Sequence, residues 1–153
     1  MKKAISGIFI MALLFASSCS KNSSGTASNT WSFKSVNYTA STCIGTGNTL
    51  TATFLSGTNP GTLSVTFYGS LLPITGGTDT VSPGLILNAA NHVLVQASVG
   101  STYYNSTAGN GNETVSVSVA SNGKLTISGS GIVLANTLSQ ADSSTVSFSM
   151  TQQ

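Results

Sequence analysis

From Trp31 onward, apolar and polar residues alternate with a period of two. Leu50, Ala52 and Phe54 alternate with Thr49, Thr51 and Thr53, and Leu63, Val65 and Phe67 with Ser64 and Thr66. Val93, Val95, Ala97 and Val99 flank Leu94, Gln96 and Ser98. Val115, Val117 and Val119 alternate with Ser116 and Ser118, and Val146, Phe148 and Met150 with Ser147 and Ser149. Side chains along a strand point to opposite faces in turn, so each run offers one apolar face and one hydroxyl face. That is the signature of a half-buried antiparallel strand. Trp31 and Phe33 share a face and are expected to anchor the core, while no stretch of this region keeps a helical period over three turns.

Turn residues fall between these runs. Asn59-Pro60-Gly61 suits a tight turn between strands at 49–55 and 62–68, because Pro presets φ and Gly tolerates positive φ. Asn122-Gly123 is a strong short hairpin signal joining 113–120 to 124–128. Ser82-Pro83-Gly84 and Gly109-Asn110-Gly111-Asn112 mark further loops. The pattern predicts strands at 31–39, 49–55, 62–68, 78–81, 92–99, 102–104, 113–120, 124–128, 131–135 and 144–150. The expected fold is all-β, an antiparallel β-sandwich of about eight to ten short strands, with a small β-barrel as the alternative.

The amino-terminal stretch has a different pattern. Met1-Lys2-Lys3 is a short cationic segment, and Ala4 to Ala16 is apolar apart from Ser6 and Gly7. As a helix this run would rise about 20 Å, too short for a hydrocarbon core of roughly 30 Å. It reads as a secretory signal rather than a permanent span. Ala16-Ser17-Ser18-Cys19 follows, and the succession of apolar run, small residues and cysteine resembles the lipobox of bacterial lipoproteins. The resemblance implies cleavage before Cys19 and fatty acylation of its thiol with diacylglycerol, palmitate-type chains included. Ser20 behind the cysteine implies transfer to the outer membrane, with the domain facing the periplasm. Ser20 to Thr30 are all small or polar and read as a flexible tether. The expected organisation is a signal at 1–18, a lipidated cysteine and tether at 19–30, and a β domain at 31–153.

Composition sharpens this picture. Lys2 and Lys3 leave with the signal, and Lys21, Lys34 and Lys124 then balance Asp79, Glu113 and Asp142, so the remaining side chains are net neutral. Nucleic-acid binding, which needs clustered cations, is excluded as a function class. Ser and Thr together number 48 of 153 residues, enough to keep the outward strand faces wet without charge. The Cys19-Ser20-Lys21 junction, the polar tether, the Trp31-x-Phe33 opening and the Asn122-Gly123-Lys124 hairpin together resemble the small Ser/Thr/Gly-rich envelope lipoproteins of Bacteroidetes-type bacteria. That resemblance implies a membrane-anchored β domain and supplies no activity to transfer.

Residues able to carry chemistry are few. His92 is the single histidine, whereas a metal site wants three or four ligands, so neither a metal nor a cofactor is expected. Asp79, Glu113 and Asp142 are at least 29 residues apart and form no local acid–base motif. No G-x-S-x-G elbow occurs, and Ser128-Gly129-Ser130-Gly131 reads as a small-residue turn. Cys43 is the one cysteine left after lipidation and is read as buried and inert, with a reactive thiol as the rival. Tyr68, Tyr103 and Tyr104 lie near strand ends and are candidates for a sugar-stacking platform. Asp79-Thr80-Val81 resembles a short acceptor motif for envelope O-glycosylation at Thr80. The chain is therefore read as a non-enzymatic binding or structural protein, tied to the membrane through Cys19, with a protein or glycan partner. The alternative is a carbohydrate-binding module using the three tyrosines.

Overall fold

Eleven strands and no helix form among the described residues of the computed structural model, which are 29–55, 60–84, 86–87, 89–107 and 112–153. The signal segment and Cys19 lie outside them. The strands are β1 (Thr30–Phe33), β2 (Val36–Thr39), β3 (Thr42–Thr46), β4 (Thr49–Phe54), β5 (Gly61–Phe67), β6 (Gly77–Val81), β7 (His92–Val99), β8 (Thr102–Ser106), β9 (Thr114–Val119), β10 (Leu125–Asn136) and β11 (Ser143–Thr151). All eleven belong to one sheet in the order β2-β1-β11-β10-β9-β6-β7-β5-β4-β3, with β8 bridging β7 and β10.

The all-β expectation holds, and the two anticipated layers prove to be two halves of one sheet folded onto itself. Its edges, β2 and β3, are consecutive in the chain and do not pair, so the ring stays open. Alternation fills the space between the halves. Trp31, Phe33, Leu63, Val65, Val93, Val95, Val115, Ile127, Ile132 and Val146 are all buried, each aliphatic contributing roughly 1.5–3 kcal/mol. The halves meet closely where β1 and β2 cross β5. A Cβ on Gly61 would lie 2.8 Å from Trp31 Cζ2 and 2.9 Å from Tyr38 Cε1, so this glycine is needed for close approach. Trp31 and Tyr38 stack with centroids 3.8 Å apart, and Tyr38 meets Phe54 edge-on at 5.6 Å.

Several expectations change in detail. The predicted strand 31–39 is a hairpin, in which Lys34 (φ 50°) and Ser35 (φ 62°) turn the chain between Phe33 and its partner Val36. β3 is absent from the sequence prediction because its inward positions are Cys43 and Gly45, while Ile44 points out and is exposed. Leu72 and Gln152 fill the space a Gly45 side chain would take. The predicted strands 124–128 and 131–135 are one, β10, interrupted by a bulge in which Ser130 and Gly131 face Ser147. That bulge replaces the predicted turn. The Asn122-Gly123 hairpin forms with a three-residue loop. Gly123 N–H donates to Ala120 C=O, and Gly123 alone takes positive φ, as in a type I turn closed by a left-handed glycine.

Two further differences concern connections. β6 and β7 run parallel, Thr80 beside His92 and Val81 beside Val93. Asn29 and Thr30, assigned by composition to the tether, are already folded. Asn29 is buried and its carbonyl accepts from Ala40 N–H.

Candidate functional site

The single free edge of β7 is shared, and this sharing sets the geometry of the site. β6 occupies its beginning, at His92 and Val93, and β8 its end, from Gln96 to Val99. Where the two meet, the buried Ser106 hydroxyl donates to Ser82 C=O at 2.6 Å and accepts from Val95 N–H at 3.4 Å. Two concave features result, one at the β6 end of the sandwich and one on the outward face beside β8.

The first is a cleft of about 430 Å³. Phe67 and Val117 form its apolar floor, Leu71 and Pro73 of the β5–β6 loop its wall, and Tyr68, Asp79, Asn91 and His92 its polar rim. Asp79 stands on the inward face of β6, opposite the buried Val115. Burial pushes its carboxyl above the ordinary aspartate range, and the nearby His92 pulls it back part of the way. His92 Nδ1 lies 3.1 Å from Ala90 C=O. A carbonyl only accepts, so Nδ1 is the donor in this contact. Asn91, at φ 60°, makes the turn into β7 and accepts from Thr80 N–H. The cleft thus joins an apolar floor to one carboxylate, one imidazole and one phenol, a combination suited to holding a small ligand. No Ser or Cys lines it among the described residues.

The second feature is a shallow depression of about 250 Å³, lined chiefly by Thr62, Ser64, Gln96, Ser98, Tyr103 and Asn105. Strand alternation turns Tyr103 outward, 65% exposed, and its neighbour Tyr104 inward, 5% exposed. The three tyrosines therefore do not form one platform. Tyr68 belongs to the end cleft, Tyr103 to the lateral face, and Tyr104 to the interior. The Tyr104 ring meets Phe33 edge-on at 4.8 Å. Its hydroxyl accepts from Lys34 Nζ at 2.8 Å and donates to Asp142 Oδ2 at 3.1 Å. Lys34 also pairs directly with Asp142, and Asn136 Nδ2 donates to the same carboxylate at 3.2 Å. The ammonium holds the Asp142 carboxyl below its ordinary range, and the carboxylate raises Lys34. This clasp has no sequence signal, since Lys34, Tyr104 and Asp142 are far apart in the chain.

The remaining sequence candidates are dispersed. Glu113 Oε1 accepts from Val133 N–H at 3.2 Å, away from the end cleft. Asp79 lines the end cleft and Glu113 a separate depression, and no group of three or more His, Cys, Asp or Glu that could hold a metal occurs among the described residues. Cys43 is fully buried, and burial pushes its thiol up to about 11, so it is a neutral thiol at pH 7. Thr80 is half-buried within β6, paired with His92 on one side and Thr114 on the other, and is not on an exposed loop. The convergence of Asp79 and His92 had no sequence signal, because a parallel crossover brings them together. The Gln96–Asn105 pair beside Tyr103 had one, since both residues sit at outward positions of alternating strands. Comparison with protein-family models, curated proteins and solved structures gives no match.

Proposed function

We propose that this chain is a lipid-anchored protein of the bacterial cell envelope, held by Cys19 on the periplasmic side of the outer membrane, whose β-sandwich binds a partner without catalysing a reaction. The anchoring half rests on the apolar run, the small residues and Cys19, followed by a polar tether that leads into the folded domain at Asn29. Each buried lipid methylene contributes about 0.8 kcal/mol, so two or more acyl chains give stable attachment. The observation that carries the binding half is the end cleft, where an apolar floor meets a rim of unlike polar groups. A net-neutral, hydroxyl-coated exterior suits an uncharged partner, a glycan or a protein surface.

The anchoring half is tested by replacing Cys19 with Ala. The variant is expected to leave the membrane fraction and to lose labelling by a fatty-acid analogue. Unchanged fractionation and labelling would refute attachment through this residue. A turnover abolished by His92→Ala in a screen of hydrolase substrates would refute the non-catalytic half.

A further inference from the structure

We propose that the outward face of β4, β5, β7 and β8 binds neutral polysaccharide, with Tyr103 as the stacking ring and Gln96 and Asn105 as the hydrogen-bonding pair. The inference rests on the reading of the chain as a binding module, and it names the ligand class and a surface separate from the end cleft.

Strand register assembles the face. One row across the four strands is Thr53, Thr62, Ser98 and Tyr103, and the next is Thr51, Ser64, Gln96 and Asn105. Neighbouring positions within a row are about 4.8 Å apart, and the two rows lie about 7 Å apart along the strands. The result is a two-row strip of hydroxyls and amides with an aromatic ring at one corner. Thr51 and Ser64 hydroxyls join at 3.1 Å, and Gln96 Nε2 donates to Asn105 Oδ1 at 3.0 Å. The second bond fixes both amides. It leaves Gln96 Oε1 as an acceptor and Asn105 Nδ2 as a donor, with no hydrogen bond to either among the described residues.

A lone exposed tyrosine needs no explanation on a protein surface. Here Tyr103 lines a depression together with Ser98, Gln96 and Asn105, and this combination selects the ligand. Among the described residues no Lys, Arg, Asp or Glu lines the depression, so an anionic or cationic ligand finds no counter-charge there. A purely apolar ligand would strand the amides and hydroxyls without partners. A sugar ring offers both requirements, a face of C–H groups for the electron-rich aromatic face and an edge of hydroxyls that donate and accept. Along the strip β5 pairs with β4 and β7, and β7 with β5 and β8, so neither strand offers an open edge there for strand addition. A polymer whose successive sugars repeat the same contacts would lie along the strip.

The test is affinity electrophoresis of the full chain, solubilised in a nonionic detergent that contains no sugar, in gels holding a neutral β-glucan, mannan or xylan, with polygalacturonate as the charged control. At least one neutral polymer is expected to retard the protein, and polygalacturonate is not. Tyr103→Ala and Gln96→Ala are each expected to weaken retardation about tenfold. Tyr103→Phe, which keeps the ring, is expected to stay near wild type, and Tyr68→Ala, in the end cleft, to leave retardation unchanged. No retardation by any neutral polymer, retardation only by polygalacturonate, or full retardation of Tyr103→Ala would overturn the inference. Retardation lost in Tyr68→Ala and kept in Tyr103→Ala would also overturn it, while leaving the binding-module reading intact with the end cleft as its site.

Discussion

The two ends of β7 face similar sets of groups in opposite states. Beside Ala97 stands Tyr104, whose hydroxyl accepts from Lys34 and donates to Asp142, while Asn136 donates to the same carboxylate. Cation, phenol and carboxylate satisfy one another there, across three parts of the chain distant in sequence. Beside His92 stand Asp79 and Tyr68, again a cation-forming group, a carboxylate and a phenol. No hydrogen bond joins these three, and Asp79 is raised by burial where Asp142 is lowered by its partners. A set of groups that is internally satisfied fixes the fold. A set left open at the rim of a cleft retains capacity for something else.

The clasp also explains an unusual turn. Lys34 and Ser35 both take positive φ without being glycine, each at a cost of about 1–2 kcal/mol. A two-residue hairpin turn of this kind ordinarily carries Asn or Gly. Lys34 in this position reaches Tyr104 and Asp142, and its ammonium sits 4.6 Å from the Tyr104 ring centroid. The strain is offset by a tie from the β1–β2 hairpin to β8 and to the β10–β11 loop.

Breaking what the two ends share is expected to have the largest effect. Val117 floors the cleft, is 7% exposed, and pairs with Gly77 two residues from Asp79. Val117→Asp would place a second carboxylate on the inner face with no partner, at a cost of several kcal/mol. The cooperative melting transition should disappear at 37 °C. A wild-type melt would show that this face does not point into the core. A smaller effect of opposite sign is expected from Ser35→Gly, which relieves one strained residue and leaves the clasp intact. It should raise stability by about 1 kcal/mol in denaturant titration, and a loss would mean that the Ser35 side chain contributes to the hairpin.

Much of this architecture is legible in the sequence, and the illegible parts have identifiable causes. Val115 and Val117, Leu63 and Val65, and Val146 and Phe148 declare their faces because every second residue is apolar and the others carry hydroxyls. The same rule separates Tyr103 from Tyr104, and grouping both in one platform overlooked it. The 34–35 turn is hidden because neither Lys nor Ser favours the positive φ that both adopt. β3 is hidden because a glycine and a cysteine supply its inner face. The end cleft is hidden because Asp79 and His92 meet through a parallel pairing that no local pattern encodes.

Proton linkage separates the two ends most finely. The Asp142 carboxyl is lowered in the folded chain, so its contribution is present above the ordinary aspartate range and is lost as the pH falls through and below it. The Asp79 carboxyl is raised, so the folded chain binds that proton more readily than the unfolded one, and acidification from above the ordinary aspartate range down into it relieves its burial. Asp79 and Asp142 are each only partly buried, so both effects are modest and screened by salt. The deciding measurement is the melting temperature of Asp79→Asn and Asp142→Asn at neutral pH and low salt, against the parent chain. The account predicts opposite signs, Asp79→Asn melting higher and Asp142→Asn lower, with both differences shrinking at acid pH. A lower melting temperature for both would contradict it, because Asp79 would then be a structural partner like Asp142 and the cleft end would hold no open set of groups.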